Sequence, residues 1–209
     1  MSETVIETDE DVALGVAHLI AICPRMAEAQ HMTGPLPLRR RPDGFAQLLS
    51  AIVSQQVSVA AACAIWSRMQ EARLTGPRKI QWASDDDLRA AGLSRQKIRY
   101  ARALAYARIN YTALRTAPTD EIVATLTEVP GIGIWTAEVY AMFSLGRADV
   151  FAPDDLALQE GARLLYGLDE RPKARALRDM AVAWSPWRSV AARQLWAYYH
   201  VVKRREGIT

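Results

Sequence analysis

The chain has 209 residues, half of them hydrophobic and 23% charged, with a formal net charge of +3. That balance excludes a disordered polyelectrolyte, and no apolar run reaches the roughly 20 residues of a membrane span. Glu3, Glu7, Asp9, Glu10 and Asp11 crowd the first eleven positions, so the rest is more basic than the total suggests, as suits a polyanionic partner. From the N-terminus, residues 9–22 place Val12, Val16, Leu19 and Ile20 at helical spacing. Asp43 is expected to cap a helix carrying Phe45, Leu48, Leu49, Ile52 and Val53, and Ser58 one carrying Ala62, Ile65 and Met69. Ser84 to Asp87 reads as a capping box with Asp in its last position. Ser94 opens a helix through Ile98, Ala101, Leu104 and Ala105, and Thr119 a short one ending at Val129. Further helices are expected over 134–145, 155–166, 172–183 and 188–204.

No alternating strand pattern is longer than a few residues, so the fold class is all-α. Prolines forbid a continuous helix from Gly34 to Pro42, and a second break runs from Gly146 to Pro153. These breaks divide the chain into a central helical unit, 43–149, and a second built from both ends, 1–42 and 150–209. Cys23 and Cys63 supply neither a disulfide framework nor a zinc site, and fall short of the four thiolates of an iron–sulfur cluster. They fit free thiols in a reducing cytoplasm, and the acidic N-terminus has no signal-peptide character. His18, His31 and His200 lack partners at metal or triad spacing.

The most informative stretch is Leu126 to Asp155. The turn Val129-Pro130-Gly131-Ile132-Gly133 joins two helical patterns. Its two glycines allow φ > 0 and leave their N–H groups unshielded. The helix that follows points its positive end into the same space, which suits a phosphate. Pro153-Asp154-Asp155 stands about twenty residues later. Two Asp before an apolar helix make an ordinary N-terminus signature, so both could be caps.

Four segments in this order resemble the helix–hairpin–helix superfamily of DNA glycosylases, and within it the bacterial 3-methyladenine DNA glycosylase II type. They are Ile52 to Ala60, the hairpin with Trp135, Phe151 to Asp155, and Pro186 to Ser189 leading to Trp196. The chain is too short for the extra N-terminal β-rich domain of the larger members. The resemblance implies two helical subdomains with an active-site cleft between them. It implies Asp155 as the catalytic carboxylate, with Asp154 the helix cap. Trp135 and Trp196 fall where the family has base-pocket aromatics, while Val139 stands at the family's pocket Tyr position, with Tyr140 next to it. Gln56 falls where the family has its DNA wedge, although an exposed loop glutamine would read the same way; Gln55 and Ser58 read as caps of the same turn. Gly131, Gly133, Ile132 and Thr136 would bind DNA phosphate. The main-chain carbonyls of Thr127, Val129 and Ile132 would hold K⁺ or Na⁺.

In strand-cutting relatives a Lys at the hairpin attacks the sugar. Trp135 cannot, which implies a monofunctional hydrolytic enzyme acting on alkylated purines, 3-methyladenine foremost, in base-excision repair. No cofactor is required for that chemistry and no iron–sulfur cluster is expected. The partner is double-stranded DNA, with no membrane, and the expected form is a monomer in the cytoplasm, associated with the nucleoid. Two alternatives stay open: a glycosylase of the same fold for deaminated or oxidised bases, and a non-catalytic helix–hairpin–helix DNA-binding module. Arg39-Arg40-Arg41, with Arg95, Lys97 and Arg99, are candidate contacts to the DNA backbone. Trp66, Trp82, Trp184 and Trp187 are expected to serve packing.

Overall fold

A computed structural model describes residues 3–205, with the backbone alone at Arg205. The described residues are helical almost throughout: α1 Asp9–Ile22, α2 Pro24–Thr33, α3 Phe45–Ser54, α4 Val59–Glu71, α5 Pro77–Trp82, α6 Asp85–Ala90, α7 Arg95–Tyr106, α8 Tyr111–Leu114, α9 Thr119–Thr127, α10 Ile134–Phe143, α11 Leu156–Tyr166, α12 Ala174–Ala181 and α13 Arg188–Arg205. Side-chain caps explain several of the helix starts. Thr8 and Asp11 form a capping box at α1, Ser84 and Asp87 another at α6. Ser58 and Ser94 accept from the amides of Ala61 and Lys97 at the starts of α4 and α7.

Asp43 departs from its expected capping role. The N-cap of α3 is Gly44, at φ 97°, and it makes no side-chain cap. Asp43 pairs instead with Arg115, at 2.7 and 3.3 Å. A guanidinium fork satisfies both carboxylate oxygens, which one capping amide cannot do. Helices α2, α5 and α8 went unforeseen because each is short or weakly patterned; α2 and α5 begin at prolines, whose fixed φ suits a first helical turn.

The chain forms two compact units, Arg41–Tyr140 and the remainder from both ends. The expected boundary at 149 is therefore displaced into α10. Residues 141–149 belong with the terminal segments because the backbone ties them there. Ile6 N–H donates to Gly146 O at 2.7 Å, Ala148 N–H to Thr4 O at 3.0 Å, and Ser189 N–H to Ala148 O at 2.9 Å. An antiparallel bridge, Val5 to Arg147, completes the tie. Residues 1–2 and 206–209 of the expected terminal unit lie outside the described residues.

In the central unit α3 packs on α4 and α7, and α5 on α7. Leu48, Leu49, Ile52, Val53, Ile80, Leu88, Ile122 and Leu126 are fully or almost fully buried there. Trp82 does not pack: it is 86% exposed. It is the last residue of α5, whose inward position is taken by Ile80, and Arg102 claims the carbonyls of Ile80, Gln81 and Ala83 at that helix end. In the terminal unit α13 packs on α11, α2 and α1. Gly161 sets the closeness of one crossing, since a Cβ there would stand 2.8 Å from the Leu195 carbonyl oxygen. Only glycine lets α11 approach α13 to this distance, and the residue after Leu195 is Trp196.

Candidate active site

The close crossing brings together two of the expected site residues. Asp155 is the N-cap of α11, and its Oδ1 accepts from the amides of Ala157 at 2.9 Å and Leu158 at 3.0 Å. The expected division of labour is thereby corrected: Asp155, not Asp154, caps the helix. A turn closed by Asp155 N–H to Ala152 O delays the helix by one residue, and Asp154 is exposed. Trp196, on α13, donates its indole Nε1–H to the same Oδ1 at 3.1 Å. Capping does not need that third donor. It fixes the carboxylate from outside its own helix, so the group is aimed as well as satisfied.

The indole is held in turn. Trp196 is half-buried, with its ring 5.7 Å from that of Phe143 and tilted by 31°. Behind Phe143 the guanidinium of Arg193 lies 4.8 Å from the ring centroid, within cation–π range. Arg193 is almost fully buried and donates to the carbonyls of Ser189 and Leu38. Burial, and then the like charges of Arg39 and Arg40, push it down to about 10, so it stays cationic at neutral pH. The row Arg193, Phe143, Trp196, Asp155 is a continuous support. Neither Phe143 nor Arg193 was legible as part of it.

The hairpin belongs to the central unit. Gly131 has φ 95°, and a Cβ there would lie 2.4 Å from the Tyr100 ring. Conformation and space both demand glycine. At Gly133 neither does: its φ is not in the left-handed region and nothing lies within 4 Å of an added Cβ. Gly133 is exposed, with open space where a Cβ would stand. Its carbonyl accepts from Ala137 N–H at 3.0 Å, so the amides at the start of α10 precede the first intrahelical bond.

One expected phosphate contact is corrected and another narrowed. Ile132 is buried, and its amide donates to Val129 O at 3.0 Å to close the turn. Thr136 is buried at its side chain, so only its backbone, in the first turn of α10, can serve an anion. Trp135 is 42% exposed at that same turn, and Val139 is half-buried. Tyr140 differs from a pocket wall. Its ring is buried and its hydroxyl accepts from Gly44 N–H at 2.7 Å, which fixes the entry to α3. Burial pushes the phenol up to about 12.

Gln56 is exposed and left-handed at φ 56°, a conformation that non-glycine residues adopt at a cost of order 1 kcal/mol. Gln55 is the C-cap of α3, its amide donating to Ile52 O, and its side chain reaches further: Nε2 donates to Gly131 O at 2.9 Å. Lys97 is not available to DNA. It is buried, with Nζ donating to Val53 O at 2.6 Å, and desolvation lowers its pKa. The end of α3 supplies the reason: Val53 lies in the last turn, where carbonyls outrun the helix's own amides, and a cation there satisfies its carbonyl. Arg95 and Arg99 remain exposed beside it, as do Arg39, Arg40 and Arg41 in the terminal unit and its junction.

Residues 49–186 match the family model described as "HhH-GPD superfamily base excision DNA repair protein". The chain is 31% identical over 165 residues to DNA-3-methyladenine glycosylase 1 of Schizosaccharomyces pombe, covering 75% of this chain and 72% of that one. The crystal structure of a DNA-3-methyladenine glycosidase from Bacillus halodurans superposes with a TM-score of 0.83 at 34% identity, covering 98% of this chain and 95% of the other. A Schizosaccharomyces pombe 3-methyladenine DNA glycosylase in complex with abasic DNA superposes with a TM-score of 0.76 at 28% identity, over 87% of this chain and 94% of the other.

Proposed function

The chain belongs to the HhH-GPD superfamily of base excision DNA repair proteins, and from that premise we propose that it is a monofunctional DNA N-glycosylase releasing alkylated purines, 3-methyladenine among them. One observation carries the reading: a carboxylate at a helix N-terminus, held on Oδ1 by two backbone amides and by an indole from another helix. A non-catalytic DNA-binding module has no use for that third donor.

The chemistry needs one fixed negative charge. As the N-glycosidic bond breaks, positive charge builds on the sugar, as in other glycoside hydrolyses. Asp155 beside C1′ stabilises that charge and orients the attacking water, whose proton it accepts. An alkylated purine already carries positive charge and leaves without a protonating acid. Trp196, bonded to Asp155, offers an electron-rich face to such a base, worth roughly 0.5–2 kcal/mol by cation–π attraction. The exposed amide of Gly133 and those of the first turn of α10 grip a DNA phosphate, and Gln56 fills the gap left by the extruded nucleotide.

A monovalent cation at the hairpin is part of the proposal. Pro130 has no N–H to offer the Thr127 carbonyl, and the carbonyls of Thr127, Val129 and Ile132 lie at the negative end of α9 and the turn after it. Bound there, K⁺ or Na⁺ would add positive charge beside the gripped phosphate. The protein acts as a monomer at the nucleoid, without a cofactor for the chemistry. The test is incubation with alkylated genomic DNA and identification of the freed bases. Release of 3-methyladenine with the strand left intact is expected; release only of hypoxanthine, uracil or oxidised purines, or of nothing, would overturn the assignment.

A further inference from the structure

Gln56 stands on a short segment that must be held still if the exposed side chain is to act as a wedge. Two bonds inside the central unit hold it. Lys97 Nζ donates to Val53 O at 2.6 Å, just before the segment, and Gln55 Nε2 donates to Gly131 O at 2.9 Å, from within it. Tyr100, three residues after Lys97 on α7, lies against Gly131, and Gln96 Nε2 steadies its hydroxyl at 2.7 Å. Residues three apart share a helix face, so α7 supports the wedge segment with one residue and the hairpin with the next. Gln55 joins the two loops directly, across 76 positions of sequence.

We infer that Gln55 is a positioning residue that couples the hairpin's grip on a phosphate to the placement of Gln56. The inference rests on the proposed roles of the hairpin and of Gln56. A phosphate at the hairpin amides fixes the backbone that carries the Gly131 carbonyl. Gln55 is anchored to that carbonyl and is separated from Gln56 by a single peptide bond. A cavity of about 270 Å³, lined in part by Gln55, Gln56, Gln96 and Tyr100, adjoins the segment. Without the anchor the wedge can fall back into it instead of standing out.

The experiment uses the full chain and single-turnover release of 7-methylguanine from two duplexes. In one the lesion is paired with cytosine; in the other it faces an abasic-site analogue, so little has to be opened. Gln55→Met removes the donor at nearly constant length. Release from the paired duplex is expected to slow roughly tenfold, the worth of one hydrogen bond, and by less than about twofold from the unpaired one. Gln55→Asn, which keeps the amide but cannot reach Gly131, should behave like the Met variant. The double variant Gln55→Met, Gln56→Ala should be no slower than Gln56→Ala alone, because Gln55 acts through Gln56. Equal losses on both duplexes, or losses that multiply in the double variant, would overturn the coupling while leaving the wedge intact. If Gln56→Ala itself slows both duplexes equally, the wedge role fails and the coupling fails with it.

Discussion

Replacing Trp196 by Phe removes one hydrogen bond from the carboxylate while keeping an aromatic ring against Phe143. The bond at stake is Nε1–H to Asp155 Oδ1, 3.1 Å long and half-buried. Bonds to charged groups contribute about 1.5–3 kcal/mol, and a partly solvated one of this length belongs near the lower end. The Ala157 and Leu158 amides remain, so the carboxylate stays capped but loses the restraint that aims it. If that restraint acts on the transition state, about 1.5 kcal/mol corresponds to a roughly tenfold slower chemical step. Single-turnover release of 7-methylguanine at saturating enzyme isolates that step from DNA binding. Thermal unfolding should show a modest loss, on the order of 1–2 kcal/mol for the missing bond and the smaller ring, with the helix cap retained, so the variant still folds and the slowed chemical step is read on folded enzyme. A Trp196→Phe enzyme that releases base at the wild-type rate would refute the claim that the indole aims Asp155. A variant slowed only in proportion to weakened DNA binding would refute it too.

Gly131→Ala should be damaging through both φ and the Tyr100 contact, costing on the order of 1–3 kcal/mol in urea unfolding, whereas Gly133→Ala should fold normally yet weaken duplex binding by crowding the phosphate. Tyr140→Phe gives up the bond from Gly44 N–H and should cost about 1 kcal/mol at neutral pH. Because the folded phenol titrates near 12 and the unfolded one near 10, Tyr140 stabilises fully below pH 10 and that contribution fades from pH 10 to 12. The difference between wild type and Tyr140→Phe in urea unfolding should therefore shrink as pH rises across that window. Borohydride should trap no covalent protein–DNA adduct, since Trp135 stands where a Schiff-base lysine would be needed; an adduct on denaturing gels would contradict a hydrolytic mechanism.

Much of this architecture was legible in the chain. Ser58, Ser84 and Ser94 each announced a helix start because a hydroxyl three residues before a free amide has one obvious partner. The hairpin was legible because Pro130, Gly131 and Gly133 restrict the backbone in ways that few structures exploit. Single-residue register was not. Asp154 and Asp155 are chemically identical, and only the turn back to Ala152 decides which of them caps α11. Side chains that act across long sequence separations were also hidden. Lys97 reads as a surface cation until α3 ends beside it, and Gln55 as no more than a cap until Gly131 comes within reach. Phe143 and Arg193 carry no local signal at all, because their role exists only once Phe143, at the very end of α10, and α13 lie together within the terminal unit. Trp82 shows the converse, an aromatic that composition assigns to packing and that the short α5 leaves facing solvent.

The most direct measurement compares Asp155→Asn with wild type in duplex binding and in base release. Asn is as good an N-cap as Asp and can still accept from Ala157, Leu158 and Trp196, so fold and affinity should be retained. What is lost is the charge beside the sugar, and release of 7-methylguanine should fall by roughly two orders of magnitude or more. Full activity in Asp155→Asn, with binding unchanged, would show that the carboxylate only caps a helix and that the chemistry lies elsewhere.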